Sequence, residues 1–229
     1  MLYADIFWDK IEQIKKVNNP IKVYDITVPI THNFVANQFI IHNSTMMNII
    51  GCLDIPTKGA VFLHDHNIAH LTESRLASIR GRTIGFIFQQ FNLIPTLTAL
   101  ENVALPMLFQ GSPLATRSAK AKQLLTKFGL GDRTHHKPNE LSGGQSQRVA
   151  ISRALANDPD VILADEPTGN LDSKTGAEVM KTLGDIHEKQ GKTIVLVTHD
   201  LNLVHHAERV IHLKDGMVEK IVPGGKRKR

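Results

Sequence analysis

Cysteine is nearly absent: the chain has one, Cys52, among 229 residues. A single thiol cannot build an internal disulfide framework, and its rarity fits a reducing compartment. Cys52 follows an apolar stretch and is expected to pack in the core as a small hydrophobe. Long apolar runs are lacking as well. None approaches the roughly 18 residues that would span a bilayer. The opening MLYADIFWDK lacks the basic, apolar, small-residue order of a signal peptide. A cytoplasmic chain is therefore expected. Internal repeats and low-complexity blocks are missing too. Positive charge is in excess, at +5, but it is badly placed for nucleic acid. Residues 1–43 carry four basic and four acidic side chains, and Lys226-Arg227-Lys228-Arg229 accounts for most of the surplus. Little remains for a basic face, so no nucleic-acid partner is expected, and the basic tail 223–229 reads as solvated. What is present is core-forming material. At 41% hydrophobic, the chain can bury a sizeable core in one or two domains.

Two textures divide the chain at residue 43. Before it, IKVYDITV alternates and is rich in β-branched residues, PITHN resembles a turn, and FVANQFIIHN reads as a second extended run. From Ser44 the pattern changes. STMMNIIGCL has helical spacing, PTKG turns into a short strand AVFLHD, and SRLASIR is a helix with Thr72 or Ser74 as its cap. TIGFIFQ is a buried strand. Two helical stretches follow, around TALENVALPML and ATRSAKAKQLLTKF, parted by Gly111 and Pro113. The remainder alternates: helix from SGGQ, strand DVILAD, helix SKTGAEVMKTLGDIHEKQ, strand TIVLVT, helix LNLVHHA, then strands RVIHL and MVEKIV around a KDG turn. Short apolar strands between helices predict a parallel sheet covered on both faces. Ligands of such sheets sit beyond the C-terminal strand ends.

Polar residues gather at those ends. DVILADEP finishes an apolar strand with two carboxylates, Asp165 and Glu166, a costly pair unless a cation meets them. Mg²⁺ with nucleotide phosphates would do so: Asp165 holding the metal through water, Glu166 orienting or deprotonating the attacking water. Gln89 and His199 end two further strands. His199 can donate a hydrogen bond to a γ-phosphate. Leu141 to Gln145, LSGGQ, open a long helix. There Ser142 offers a hydroxyl, and Gly143 and Gly144 leave N–H groups uncovered at the positive end of the helix dipole, an anion site. His64, His66 and His70, like His135-His136 and His205-His206, fall in turns or on exposed helix faces without metal-ligand spacing, and are not read as a metal site.

LSGGQSQRVAISRALANDPDVILADEPTGNLDSKTG, with the later LVTHD, resembles the nucleotide-binding subunits of ABC transporters, from Ser44 to about Val222. The resemblance implies an α/β fold, a P-loop NTPase (RecA-like) parallel sheet with a helical subdomain at about 92–140, and ATP and Mg²⁺ as cofactors. It implies that Gln89 lies in the Q-loop and that Leu141, Ser142, Gly143, Gly144 and Gln145 form the signature. Asp165 and Glu166 become the Walker B pair, Asp172 lies in the D-loop, and His199 is the switch histidine. Partners implied are a second copy, head to tail, and an integral membrane permease that holds the subunit on the inner face of the cell membrane. FIFQQFNLIPTLTALENVALPMLF is most similar to the subgroup serving lipoprotein-release and macrolide-export permeases.

The phosphate cradle G-x-x-x-x-G-K-[ST] survives only as Ser44-Thr45, with Ser44 the expected Mg²⁺ ligand. Before it stands FVANQFIIHN, without the glycine and lysine. VYDITVPITHNFVANQFIIHN and the following Ser resemble the C-terminal splicing blocks of inteins, and DIFWDKI the stretch before them. That predicts a short all-β, Hint-type segment over 1–43, ahead of an ATPase domain over 44–229. The chemistry accounts for the residues. The Asn43 amide can attack its own carbonyl, His42 can protonate the departing nitrogen, and the Ser44 hydroxyl can accept an acyl group. Resemblance adds Asp25 and His32 as an assisting pair. Ile30 and Gln38 depart from the pattern, where small residues or glycine are usual. The expectation is an ATPase completed by splicing to an N-terminal half. The alternatives are a self-processing precursor fragment, or a remnant without ATPase activity of its own.

Overall fold

The computed structural model describes residues 13–16, 24–27, 41–63, 66–214 and 216–225. They fall into two compact units, Met1–Leu76 with Asp200–Arg229, and Ala77–His199. In the first unit, β1 (Gln13–Lys16) pairs antiparallel with β2 (Tyr24–Thr27), Gln13 opposite Thr27. β2 lies in the expected run VYDITV and carries Asp25; His32, Ile30 and Gln38 lie outside the described residues.

Helix α1 runs Ile41–Ile50. This corrects the extended reading of FVANQFIIHN, whose last three residues are helical, and moves the helix start from Ser44 to Ile41. Propensity is a weak prior, and once a helical turn exists each further residue adds a hydrogen bond for little entropy. Met47 and Ile49 are buried, and Cys52 is fully so, as expected. Cys52 ends the helix with a left-handed φ of 53°, while the N–H of Gly51 reaches Met47 O at 2.8 Å. Of the strand expected over AVFLHD, Phe62–Leu63 form β3, paired antiparallel with β4 (His66–Asn67); His64 and Asp65 lie outside the described residues.

Helix α2 (Glu73–Thr83) starts at Thr72, whose Oγ1 accepts from Arg75 N at 3.4 Å. The second unit then holds, in order, β5 (Ile84–Ile87), α3 (Ala99–Phe109), α4 (Leu114–Lys127), α5 (Gly143–Ala154), β6 (Val161–Asp165), α6 (Ser173–Gln190) and β7 (Thr193–Val197). Strands β5, β6 and β7 form a parallel sheet in that order, with Ile87 opposite Ala164 and Asp165 opposite Val197. β6, the middle strand, buries four successive residues, and β5 is nearly as buried. That is why both read as continuous apolar runs rather than as alternation. A β-carbon on Gly85 would lie 2.4 Å from the carbonyl of Ala154, so β5 meets the end of α5 where only glycine fits.

The helical segment between β5 and α5 shares a core with α5. Val103, Met107, Ala121, Leu125 and Leu130 pack with Val149 and Ala156. α6 ends at Gly191, φ 66°, a left-handed cap. Back in the first unit, LNLVHHA forms a 3-10 helix, Leu201–His206, rather than an α-helix. Six residues give one short, tight element, and the Asp200 side chain caps it by accepting from Asn202 N at 2.9 Å. β8 (Arg209–Lys214) and β9 (Met217–Pro223) make the expected antiparallel hairpin. Among the described residues no helix is long and apolar enough to cross a membrane.

Candidate active site at the strand ends

Three parallel strands in register bring their C-terminal residues to one edge. Gln89 follows β5, Asp165 and Glu166 close β6, and Thr198 and His199 follow β7. Glu166 is the turning point. Its φ of 44° is left-handed, uncommon for a residue with a side chain, and its N–H bonds across to Val197 O at 2.9 Å. The turn aims a buried carboxylate at the end of β7. There Oε1 accepts from His199 N at 2.7 Å and lies 2.6 Å from His199 Nδ1, while Oε2 accepts from Thr198 Oγ1 at 3.0 Å. His199 thus meets Glu166 rather than projecting freely. A ring donating from Nδ1 leaves Nε2 an acceptor when neutral and a second donor when protonated. Its side chain is 72% exposed.

Asp165 sits differently. Burial first, and the neighbouring charge of Glu166 second, raise its pKa above the ordinary carboxylate range. Among the described residues it has no ion pair, so its charge is uncompensated at this edge. A hard cation would relieve that cost, and Mg²⁺ usually takes only one or two carboxylates and fills its shell with phosphate and water. No three His, Cys, Asp or Glu side chains cluster into a metal cage among the described residues. Asp165 therefore fits an ion held mainly by its nucleotide. Gln89 lies against the next loop. A β-carbon on Gly169 would come within 2.6 Å of Gln89 Nε2, and Asn170 Nδ2 donates to Gln89 O at 2.8 Å.

α5 opens with a capping box: Gln145 N donates to Ser142 Oγ at 3.3 Å, and Ser142 N to Gln145 Oε1 at 2.9 Å. That arrangement uses the N–H of the third helical residue, Gln145, and leaves those of Gly143 and Gly144 as helix-end donors by geometry. Gly144 has a second role. A β-carbon there would sit 2.5 Å from Thr175 Cγ2, so the glycine also lets α5 and α6 touch. Leu141 precedes the box and packs on the helical core. Asp172 caps α6, accepting from Lys174 N and Thr175 N at 3.1 and 3.0 Å; the Thr175 side chain first, then these N–H groups, hold its carboxyl below the usual range. The opening of α5 lies beside this loop, with Gly143 facing Leu171.

The structure thus assembles Gln89, Asp165, Glu166 and His199 at one edge, with Ser142 to Gln145 and Asp172 at two neighbouring helix starts. Ser44, Thr45, His42 and Asn43 are placed by backbone on α1; their side chains lie outside the described residues. Gln147 and Arg153 are site-supporting residues that sequence reasoning missed. Fully buried Gln147 donates from Nε2 to Pro167 O at 2.6 Å, next to Glu166. Their partners are backbone carbonyls 20 and 62 residues away, so no local pattern signals them.

The parallel α/β sheet, with acid, amide and imidazole groups at adjacent strand ends, has the P-loop NTPase-like cassette fold that solved relatives share. A family model for the ABC transporter matches residues 43–169, and one for the intein splicing domain matches residues 3–43. An uncharacterized ABC transporter ATP-binding protein of Thermotoga maritima is 55% identical over 178 residues, 78% of this chain and 76% of that protein. The macrolide export ATP-binding/permease protein MacB of Shewanella sp. (strain W3-18-1) is 50% identical over 175 residues, 76% of this chain but 27% of that longer protein. The solved dimer of the ATP-binding cassette MJ0796, in a post-hydrolysis state with ADP and Pi, superposes with TM-score 0.74 at 43% identity, covering 94% of this chain and 97% of that one. The chain belongs to the ABC transporter ATP-binding family.

Proposed function

We propose that this chain is the ATP-hydrolysing motor subunit of a transporter of the macrolide-export or lipoprotein-release kind, completed by protein splicing at Ser44. The observation carrying the splicing half is positional. The intein splicing match ends at residue 43, where the ABC transporter match begins. That junction falls where FVANQFIIHN stands in place of the glycines and lysine of a phosphate loop. Residues 1–43 form the excised segment and 44–229 the ATPase domain.

In splicing, the upstream acyl group, held as an ester or thioester on the first nucleophile of the N-terminal half, passes to the Ser44 oxygen: the old acyl–nucleophile bond breaks, the departing nucleophile takes the Ser44 hydroxyl proton, and a new ester forms. The Asn43 amide nitrogen then attacks the Asn43 carbonyl carbon, the Asn43–Ser44 peptide bond breaks, and His42 supplies the proton taken by the departing Ser44 nitrogen. The freed Ser44 amine attacks the ester carbonyl, which passes from oxygen to nitrogen and leaves a peptide bond. Asp25 and His32 assist. In the ligated product Ser44, Thr45, Gln89 and Asp165 would hold Mg²⁺ and phosphate oxygens, the ion neutralising charge on the transferred group. Glu166 orients the attacking water, and His199 holds both that carboxylate and a phosphate oxygen. Ser142 to Gln145 and Asp172 serve the nucleotide of a second copy, head to tail. A membrane permease supplies the coupled partner.

The experiment is intact-mass measurement after mixing the chain with an N-terminal half that carries the rest of the phosphate loop. Wild type should give a ligated product and a released 1–43 segment. Asn43→Ala should stall at a branched ester. Ser44→Ala should not ligate, yet should still cleave slowly at Asn43. Full-length ligated product from Ser44→Ala would show that 1–43 is only a divergent extension.

A further inference from the structure

The far end of α5 grips the loop that leaves β5. Arg153 lies on the last turn of α5, and its Nη1 and Nη2 donate to the carbonyls of Asn92 at 2.5 Å and Phe91 at 2.8 Å. Both of those residues are left-handed, with φ of 48° and 60°. An aromatic residue adopts that conformation only when its surroundings over-determine it. Two charge-assisted bonds from one planar fork do so. Among the described residues no carboxylate pairs with Arg153, and burial lowers its pKa. A half-buried cation answered only by carbonyl dipoles is weak evidence for stability and better evidence for a specified conformation. The remainder of the loop is pinned from elsewhere. Asn102 Nδ2 reaches the carbonyls of Ile94, Leu97 and Thr98 at 3.2, 3.1 and 3.0 Å. Only the Phe91–Asn92 turn, two residues beyond Gln89, is held by α5.

We propose that Arg153 is a positioning residue for Gln89, tying the loop after β5 to the signature helix. The inference rests on the reading of Gln89 as a group that faces magnesium and the reacting phosphate. α5 is one 12-residue helix. Its first turn presents Ser142 to Gln145 to the nucleotide of the facing copy, and its last turn fixes the turn that follows Gln89. A shift of the helix at one nucleotide is thereby passed to the amide at the other.

Arg153→Met removes both donors while keeping the stem, and Arg153→Lys keeps one. Hydrogen exchange of the full chain, read by mass spectrometry, should show amides 89–95 exchanging at least about tenfold faster in Arg153→Met. Amides 145–152 and 161–165 should keep wild-type rates. Arg153→Lys should fall between, and it carries the comparison if the Met variant does not fold. In the ligated product, Arg153→Met should raise the magnesium concentration needed for half-maximal turnover several-fold at saturating ATP. In a Gln89→Ala background it should add nothing, since both changes then act through one group. Exchange that accelerates uniformly over residues 77–199, or losses that multiply in the double variant, would overturn the proposal. A wild-type ligated product without magnesium-dependent turnover would overturn the functional reading instead, and exchange in the full chain would still decide whether Arg153 holds the loop.

Discussion

Asp165 ends β6 beside a second carboxyl, and burial together with the charge of Glu166 raises its pKa from the ordinary 3.8. Between 3.8 and the raised value the folded state binds more protons than the unfolded state, so stability falls as pH rises through that window. At neutral pH the ionised Asp165 therefore strains the nucleotide-free fold. Asp165→Asn should raise the melting temperature at pH 7 by on the order of 1–2 °C, kept small because the group is partly solvated. The gain should shrink as pH falls through that window and vanish well below 3.8, where the aspartate is protonated in both states. Calorimetry across that pH range checks it, and a gain that persists in acid would remove charge as the cause. Gly169 tests a neighbouring contact. Gly169→Ala should leave the fold intact, since the added carbon meets the flexible end of Gln89. It should displace that amide and lower turnover of the ligated product about tenfold, an effect absent in a Gln89→Ala background. Gln89, Asp165, Glu166 and His199 were legible in sequence because each is a polar residue closing an apolar strand. Arg153 and Gln147 were not. Their partners are backbone carbonyls 62 and 20 residues distant, which leave no pattern in the chain.

Elements followed the apolar periodicity where packing agreed with it. α6 spans the expected SKTGAEVMKTLGDIHEKQ from an Asp172 cap to a Gly191 stop, with both signals local. α1 departed from expectation because β-branched and aromatic composition says little when a neighbouring helix can propagate into the segment. That departure has a chemical consequence. The Asn43–Ser44 bond lies within helical backbone, and attack by the Asn43 amide on its own carbonyl needs that backbone to rotate. Met46→Gly weakens a helix by roughly 0.5–1 kcal/mol, so cleavage at Asn43 should quicken about two- to fivefold, read by mass against time. Unchanged cleavage would mean that helix opening does not limit the reaction. The α5–α6 contact gives a second element-scale test. Gly144→Ala should destabilise by about 1–3 kcal/mol through overpacking, because its β-carbon would meet Thr175 Cγ2. Thr175→Ser removes that methyl and should restore most of the loss in denaturant melts.

At the scale of the molecule, the proposed function assigns the two families of site residues to different nucleotides. Gln89, Asp165 and Glu166 share one sheet edge, whereas Ser142 to Gln145 open a helix whose N–H donors are left for an anion. In the head-to-tail reading each nucleotide is closed over by the signature of the other copy, and the cassette MJ0796 is solved as a dimer with ADP and Pi. Hydrolysis then removes the group that joins the two copies, and blocking hydrolysis should hold them together. Glu166→Gln is the suitable block. Glutamine keeps the shape and one oxygen for His199 N and Nδ1, and Thr198 Oγ1 can turn to accept from the new amide, so the turn after β6 survives. Turnover of the ligated product should fall by about two or more orders of magnitude, the scale of losing a general base. ATP binding should persist, and association should strengthen because the bridging ligand is no longer consumed. Sedimentation velocity should then show a monomer without nucleotide and a dimer at saturating ATP, with Ser142→Arg returning the Glu166→Gln protein to monomer by crowding the anion site. A Glu166→Gln protein that binds ATP and stays monomeric would sink the shared-site arrangement while leaving the assignment of Glu166 to the water intact.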